Sequence, residues 1–469
     1  MNVLKRILFI AAVIFGLSAG SCISDDFTDS PEARLAFSTD TVSFGTVFTD
    51  LATPTARLLV INNNKKGVNI SSIRFQNPET PFRMNVDGVS GMSFQDVEIR
   101  GNDSIYVFLE CYLEADDSTI PQLTSDKLEF VTNGNVQTVE VEAWGWNVTR
   151  LKNVTIDSDT RFTAERPYII FDTLTVDPGV TLMIDPGAWL LFHDKARLNV
   201  KGTVIAQGSV DNMIRMSGDR LDDVLPDVAY DVLAGQWGGI DIAAESFGNR
   251  LEYVDMRSTV SGLRIDSCGD LSKSKLLLLN SWLHNSQGNV LSSKYARVDA
   301  YGCCFSEAAG SVVNLTGGSH RFVQCTIANS YLFSSLYEPN LQLTYCMPDE
   351  QTEDNPNPLM TASFENGIVW GEIGDPIDPG DLIGSEVFMR YMLFKANGSD
   401  DENFIDCVWN EDPMFFTVRD EYYFNYRLQP DSPALGRGYS GFVTNECLYD
   451  MDGLNRLANG NPALGAYAD

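Results

Sequence analysis

Asn280-Ser281-Trp282-Leu283, Gly302-Cys303-Cys304-Phe305, Gln324-Cys325-Thr326-Ile327 and Asn366-Gly367-Ile368-Val369 are four versions of one segment. Each opens polar or small and closes apolar, and short β-type runs precede the first three, at 276–279, 297–301 and 321–323. Their first residues lie 22, 22 and 42 apart, and 42 reads as two steps of 21 with a weaker copy at Tyr345-Cys346. A period of this size, made of short strands broken by Gly, Asn and Ser, is that of a solenoid. The runs are too short, and carry no 3.6-residue spacing, for helical repeats. The pattern therefore predicts one coil of chain per step, with neighbouring coils pairing as parallel strands about 4.8 Å apart.

Outward from that block the pattern continues in both directions. Arg150 to Ile156 starts the coils, and Asp177-Pro178-Gly179 and Asp185-Pro186-Gly187 flank an apolar run. Proline fixes φ and glycine takes the positive φ, so each triplet predicts a tight corner between strands. Lys201-Gly202-Thr203-Val204-Ile205-Ala206 and Gln236-Trp237-Gly238-Gly239-Ile240-Asp241-Ile242 supply further coils. The chain closes with Leu428-Gln429-Pro430-Asp431-Ser432-Pro433-Ala434, Asp450-Met451-Asp452-Gly453 and Leu464-Gly465-Ala466-Tyr467. Together these blocks resemble right-handed parallel β-helix proteins of the pectate-lyase-like superfamily, which implies that fold over residues 150–469. Acid-rich segments at 218–235, 347–360 and 371–403 interrupt the period. Insertions in a solenoid project as loops, the places where function concentrates.

Residues 34–147 read differently. Alternating runs at 41–47, 56–61, 70–75, 104–113, 127–131 and 137–143 are separated by Asn62-Asn63-Asn64, Gly101-Asn102-Asp103 and the tight-hairpin pair Asn133-Gly134. This is antiparallel β-structure of sandwich type. Val42-Ser43-Phe44-Gly45-Thr46-Val47 followed by Leu58-Leu59-Val60-Ile61-Asn62-Asn63 resembles bacterial Ig-like sandwich domains of the ASH kind, implying a spacer or docking module. The fold class is thus all-β: an Ig-like β-sandwich, then a right-handed parallel β-helix.

Residues 1–21 read as an export signal: Lys5 and Arg6, an apolar run from Ile7 to Leu17, then Ala19-Gly20-Ser21 before Cys22. The ending resembles a bacterial lipobox, which implies a lipidated Cys22, with Ala19 standing where leucine is preferred. The tether 22–33 begins Ile23-Ser24-Asp25-Asp26 behind that cysteine. It resembles the surface-export signal of Bacteroidota lipoproteins and implies an outer-membrane anchor facing the cell exterior. An acidic tether on the periplasmic side is the other reading.

The 64 acidic against 33 basic residues give a net charge of −31, a surface that repels phosphate backbones and excludes nucleic acid as a partner. Cysteines other than Cys22 form no C-x-x-C pair, and Cys303, Cys325 and Cys346 are expected as buried thiols stacked on successive coils. No cofactor is expected. Asp450-x-Asp452-Gly453 invites calcium, but Leu448 and Asn459 fill the positions an EF-type loop needs as acids, so a terminal turn is preferred.

A hydrolase needs paired carboxylates, and Asp266 with Asp270, and Asp255 a coil earlier, are the nearest approach. Arg264 and Lys273 with Asp266 and Asp270 can also be drawn as the base and uronate-binding arrangement of a lyase, but a role as turn and surface residues is preferred. His284 reads as a coil-edge residue bonded to backbone. Trp409, Tyr422 and Tyr423, with Phe415, Phe416, Phe424 and Tyr426, either stack on sugar rings or cap the open end of the solenoid, and capping is preferred. The preferred function is a non-enzymatic surface lipoprotein whose β-helix binds a glycan or protein partner. A polysaccharide lyase or glycoside hydrolase acting on an extracellular polysaccharide is the alternative.

Overall fold

The computed structural model describes residues 26–225, 228–344, 359–373, 377–378, 386–420 and 422–468. Cys22 and Cys346 lie outside them, as do the acidic residues of the second insertion and Asp375 and Asp381 of the third. The chain divides into two compact units, Met1–Trp146 and Asn147–Asp469. Among the described residues the regular structure is strand, relieved by short 3-10 turns.

The first unit is two sheets closed on one core. One runs Ala36–Phe37, Ala56–Asn62, Asp103–Cys111, Phe82–Val86, Val89–Gly91; the other runs Thr41–Phe48, Asn135–Trp146, Gln122–Thr132, Val68–Phe75, Ser93–Phe94. Alternation explains the layering: Val107, Leu109 and Cys111 point inward from one strand and meet Val139, Val141 and Ala143 from the facing sheet. Asn133 and Gly134 both take positive φ, 49° and 79°, in the hairpin expected there. The strand Phe82–Val86, absent from the sequence reading, follows directly on Pro81, a turn signal that masked its alternation.

The second unit is a parallel β-helix. Each full coil contributes one strand to a ten-stranded sheet and two to an eighteen-stranded one. A coil runs Leu276–Leu279, Trp282–Ser286, Leu291–Lys294, and the next begins at Arg297–Tyr301. Pairing is parallel and in register, Leu278 on Ala300 on Phe322 on Phe364. Inward residues therefore stack in columns, as Met256, Leu283, Phe305, Ile327 and Val369 do on the lateral sheet. Both Asp-Pro-Gly triplets are the corners expected, with Gly179 and Gly187 at φ 78° and 80°.

The first residues of the four repeated segments have a common cause. Asn280, Gly302, Gln324 and Asn366 all sit at positive φ, between 43° and 65°, as do Tyr253 and Tyr391 on flanking coils. This left-handed corner costs an ordinary L-residue about 1–2 kcal/mol, and Gly and Asn tolerate it best. The polar start of each repeat is thus a backbone requirement.

One step of the expected period is corrected. Thr326 pairs directly with Ile368, and Gly318 with Met360, so no coil lies between Gln324 and Asn366. The spacing of 42 is one coil carrying an insertion, and its equality with two steps is coincidental. Cys303 and Cys325 stack as buried free thiols, and the next member of their column is Gly367 rather than Cys346.

The C-terminal aromatics are also placed differently from the expected cap. From about residue 411 the chain doubles back as a strap along the side of the β-helix. Phe415, Tyr426, Ala434, Met451, Leu464 and Tyr467 pack on the outer side chains of Cys304, Ala328, Ile368 and Leu393. The strap bonds to the left-handed corners: Gly465 N donates to Asn366 O (2.8 Å), and Asn280 Nδ2 to Tyr449 O (3.2 Å). Trp409 stays on the last coil, packed against Phe394 and Phe404 at 5.2 and 5.4 Å.

Candidate functional site

On the lateral sheet, strands Val254–Thr259, Trp282–Ser286 and Cys304–Ala308 lie side by side. Their inward residues fill the core, so alternation turns Asp255, Arg257, Trp282, His284 and Ser306 outward. Three segments enclose this patch as a cavity of about 300 Å³. They are the first acidic insertion at Asp231–Val232, the loop at Tyr331–Phe333, and the strap's hairpin tip at Tyr422–Phe424.

Local bonds fix each wall. Ser258 and Asn285 take positive φ, 66° and 57°, at a second column of corners. From there Ser258 Oγ donates to Asp231 O (2.6 Å), and Asn285 Nδ2 donates to Asp231 O and Val232 O (2.9 and 3.0 Å). Phe333 stacks on Tyr422 with ring centroids 6.1 Å apart and planes 4° off parallel. Trp282 lies over the His284 ring at 4.0 Å, and its Nε1 donates to Ser306 Oγ (2.9 Å).

The charges below the floor form a chain. Arg257 donates to both oxygens of Asp255 and, through Nη1, to Asp231 Oδ2 (2.8 Å). His284 Nε2 donates to Asp255 Oδ1 (3.1 Å). Burial alone would raise the Asp255 carboxyl, but the Arg257 charge and the His284 hydrogen bond outweigh it and hold it well below the usual range. Burial is the largest influence on His284, lowering its pKa below the ordinary imidazole value despite the neighbouring carboxylate. The ring is therefore neutral at neutral pH. With Nε2 carrying the hydrogen, Nδ1 is its acceptor.

Glu307 occupies the corner after Ser306, at φ 49° and 2% exposed. Tyr426 from the strap donates its hydroxyl to Oε1, while Oε2 has no protein partner. Desolvation pushes this carboxyl up to about 7, only partly opposed by Ser306 and Tyr426.

Of the residues singled out in sequence, Asp255 lies under this cleft and Tyr422 and Tyr423 stand in its wall. Arg264, Asp266 and Asp270 share no partner with Asp255. Arg264 Nε donates to Asp241 (2.5 Å), which Arg197 also holds (2.6 Å). Asp266 accepts from Ser267 N (2.8 Å), and Asp270 closes a turn with Ser272 N (3.0 Å) and reaches Lys273 at 3.6 Å. His284 bonds a carboxylate, not backbone as expected. Arg257, Trp282, Phe333 and Glu307 were not anticipated. The 22-residue step from His284 to Ser306, carried one residue on, would have found Glu307. The Asp450 carboxylate accepts from Asp452 N, Leu454 N and Ala468 N (2.8 to 2.9 Å), and Asp452 pairs with Arg427. This is the terminal turn preferred in sequence.

No family model and no curated protein matches this chain. Among solved structures, a Porphyromonas gingivalis W83 protein of unknown function aligns at 12% identity and TM-score 0.19, over 27% of this chain and 60% of that one. A family 123 glycoside hydrolase from Clostridium perfringens, described for glycolipid glycan hydrolysis, aligns at 7% identity and TM-score 0.18, over 25% of this chain and 30% of that one. Vibrio cholerae VesB protease aligns at 11% identity and TM-score 0.17, over 24% of this chain and 31% of that one. Likenesses this slight carry no argument about activity.

Proposed function

We propose that this is a lipid-anchored surface protein whose right-handed β-helix holds a short saccharide in the lateral cleft. The observation that carries the reading is the cleft's composition. Aromatic side chains from two wall segments, with Trp282 on the floor, stand beside charged and hydrogen-bonding groups, the pairing that sugar rings require. Phe333 and Tyr423 are 44% and 58% exposed, so their rings contribute little to the fold. Stacking of this kind contributes about 0.5–1.5 kcal/mol per ring beyond its buried area. Phe333→Ala and Tyr423→Ala should therefore each weaken binding by up to about tenfold while leaving thermal unfolding unchanged. A glycan array followed by titration calorimetry reads this; silence of the wild-type protein across the array, or indifference to both substitutions, would refute the cleft as the binding site.

The anchor is a separate part of the proposal. Signal and lipobox resemblance at residues 1–22, with acids directly behind Cys22, support an outer-membrane location facing the cell exterior, where polysaccharide or surface-protein partners are met. The sandwich, of Ig-like type, would act as a spacer. Cys22→Ser should move the protein from the membrane pellet to the soluble fraction after cell lysis and detergent-free ultracentrifugation. Unchanged partitioning would remove the anchor from the reading.

A further inference from the structure

We propose that the first unit carries a saccharide-binding groove of its own, on the outer face of its five-stranded sheet, selective for neutral sugars. None of its residues belongs to the lateral cleft, so the groove stands or falls separately.

Strand alternation builds it. Phe82, Met84 and Val86 point into the sandwich core, as do Val107, Leu109 and Cys111 of the neighbouring strand. Arg83, Asn85, Phe108 and Glu110 therefore share the opposite face. Register sets Asn85 opposite Phe108 and Arg83 opposite Glu110. The chain then turns at Asp87 and Gly88, at φ 50° and 82°, and returns as the edge strand Val89–Gly91, with Ser90 opposite Asn85. Ser90 and Met92 complete the lining. The cavity is about 550 Å³, within the roughly 300–1,000 Å³ that small-ligand sites span.

An ion pair is left unmade here. Opposite charges facing each other across paired strands ordinarily attract and stabilise the sheet. Among the described residues, however, the Arg83 side chain makes no hydrogen bond or ion pair, and the Glu110 carboxylate accepts only from Thr55 Oγ1 (3.4 Å). Both charged heads are thus left to a third partner. Beside them lies apolar surface that the fold does not cover. Phe108 stacks on Tyr106 with ring centroids 5.8 Å apart and planes 24° off parallel, and Tyr106 and Met92 are 50% and 45% exposed. Apolar surface rimmed by polar groups marks a binding site.

A sugar ring satisfies both features at once. Its C–H face covers the aromatic ring, while its hydroxyls accept from the guanidinium and donate to the carboxylate. Asn85 Nδ2 donates to Ser90 Oγ (3.1 Å), which turns the amide oxygen into a further acceptor for a hydroxyl. One positive and one negative head cancel, so the groove offers no net charge to a uronate or a sulfate. The net charge of −31 repels such polymers besides. Neutral sugars are the class this combination favours.

The test uses the mature protein in affinity electrophoresis with xylan, galactomannan and arabinan, and with pectate and chondroitin sulfate as acidic polymers. Retention by at least one neutral polymer is expected. Arg83→Ala and Phe108→Ala should each weaken that retention about tenfold. They should do so equally in protein whose cleft carries Phe333→Ala and Tyr423→Ala. Arg83 is exposed and unbonded, so its variant keeps the test decisive should Phe108→Ala melt early. Retention that Phe333→Ala and Tyr423→Ala abolish, and that Arg83→Ala and Phe108→Ala leave unchanged, overturns the groove and spares the cleft. Retention with the opposite sensitivity supports the groove and removes the cleft. Retention by the acidic polymers alone overturns the assignment to neutral sugars, and absence of retention by every polymer overturns the groove outright.

Discussion

At pH 8, Glu307→Gln should be the more stable protein, and by pH 4 the two should converge. Glu307 is fully enclosed, and desolvation pushes its carboxyl up to about 7, with the Ser306 and Tyr426 hydrogen bonds only partly opposing it. An unfolded glutamate titrates near 4.3. Because the folded value is the higher one, the folded chain holds this proton where the unfolded chain has lost it. The contribution is fully present below about pH 4.3, declines as pH rises, and is lost once pH passes about 7. The difference across that window is on the order of 3 kcal/mol. Glutamine presents the same acceptor to Tyr426 and never ionises, so it is exempt from the decline. Urea-unfolding midpoints of both proteins at pH 4, 6 and 8 decide the matter. Taking the difference at each pH cancels the general effect of an acidic chain carrying a net charge of −31. A gap between variant and wild type that stays flat from pH 4 to 8 would show that Glu307 is not enclosed as described.

Sequence carried the architecture where local chemistry dictates it. Strand alternation such as that of 103–111 and Asn-Gly or Asp-Pro-Gly corners are one-segment signals, and they marked both units. The 22-residue step held from Asn280 to Gln324, where coils follow one another without a long insertion. It failed at 324–366 because an insertion happened to match a second period, and only the pairing of Thr326 with Ile368 separates the cases.

The cleft was hidden for a different reason. Its floor takes outward residues from three coils, and the step from Asp255 to Trp282 is 27 rather than 22, so Asp255 and His284 do not align by the repeat. Asp255 was noticed among nearby acids in sequence, whereas its partners are a residue two positions on and one in the next coil. Its walls come from an insertion and from a hairpin more than a hundred residues away. Tyr422 and Tyr423 stood out as aromatics, but nothing in the sequence says that the strap folds back beside Trp282.

Arg456→Ala should cause the largest loss of stability among single changes in the strap, about 3–5 kcal/mol. Arg456 is fully buried, and its guanidinium donates to Gln324 Oε1 (3.3 Å), Gly465 O (3.1 Å) and Ala466 O (2.6 Å). It thereby ties two turns of the strap to the left-handed corner of a coil. Burial lowers its pKa and the Asp450 charge opposes that, so a buried cation is held chiefly by carbonyl oxygens. Removing it leaves those carbonyls without a donor in a space too enclosed for water to replace all the bonds, and opens a cavity besides. The loss should begin locally, because solenoid elements contact mainly their neighbours and can open in parts. Limited proteolysis should therefore cut the variant within 411–468 before the coils are touched, and guanidinium unfolding should show an early phase absent from wild type. Arg456→Lys, which keeps the charge but cannot reach three acceptors with a planar fork, should fall between the two. A proteolytic pattern identical to wild type in Arg456→Ala would mean that the apolar contacts of Leu464 and Tyr467 hold the strap unaided. In the expected outcome the hairpin tip loses its seat as the strap loosens, so Tyr422 and Tyr423 leave the cleft wall and saccharide affinity falls with strap protection. That links the strap, read in sequence as an end cap, to the site itself.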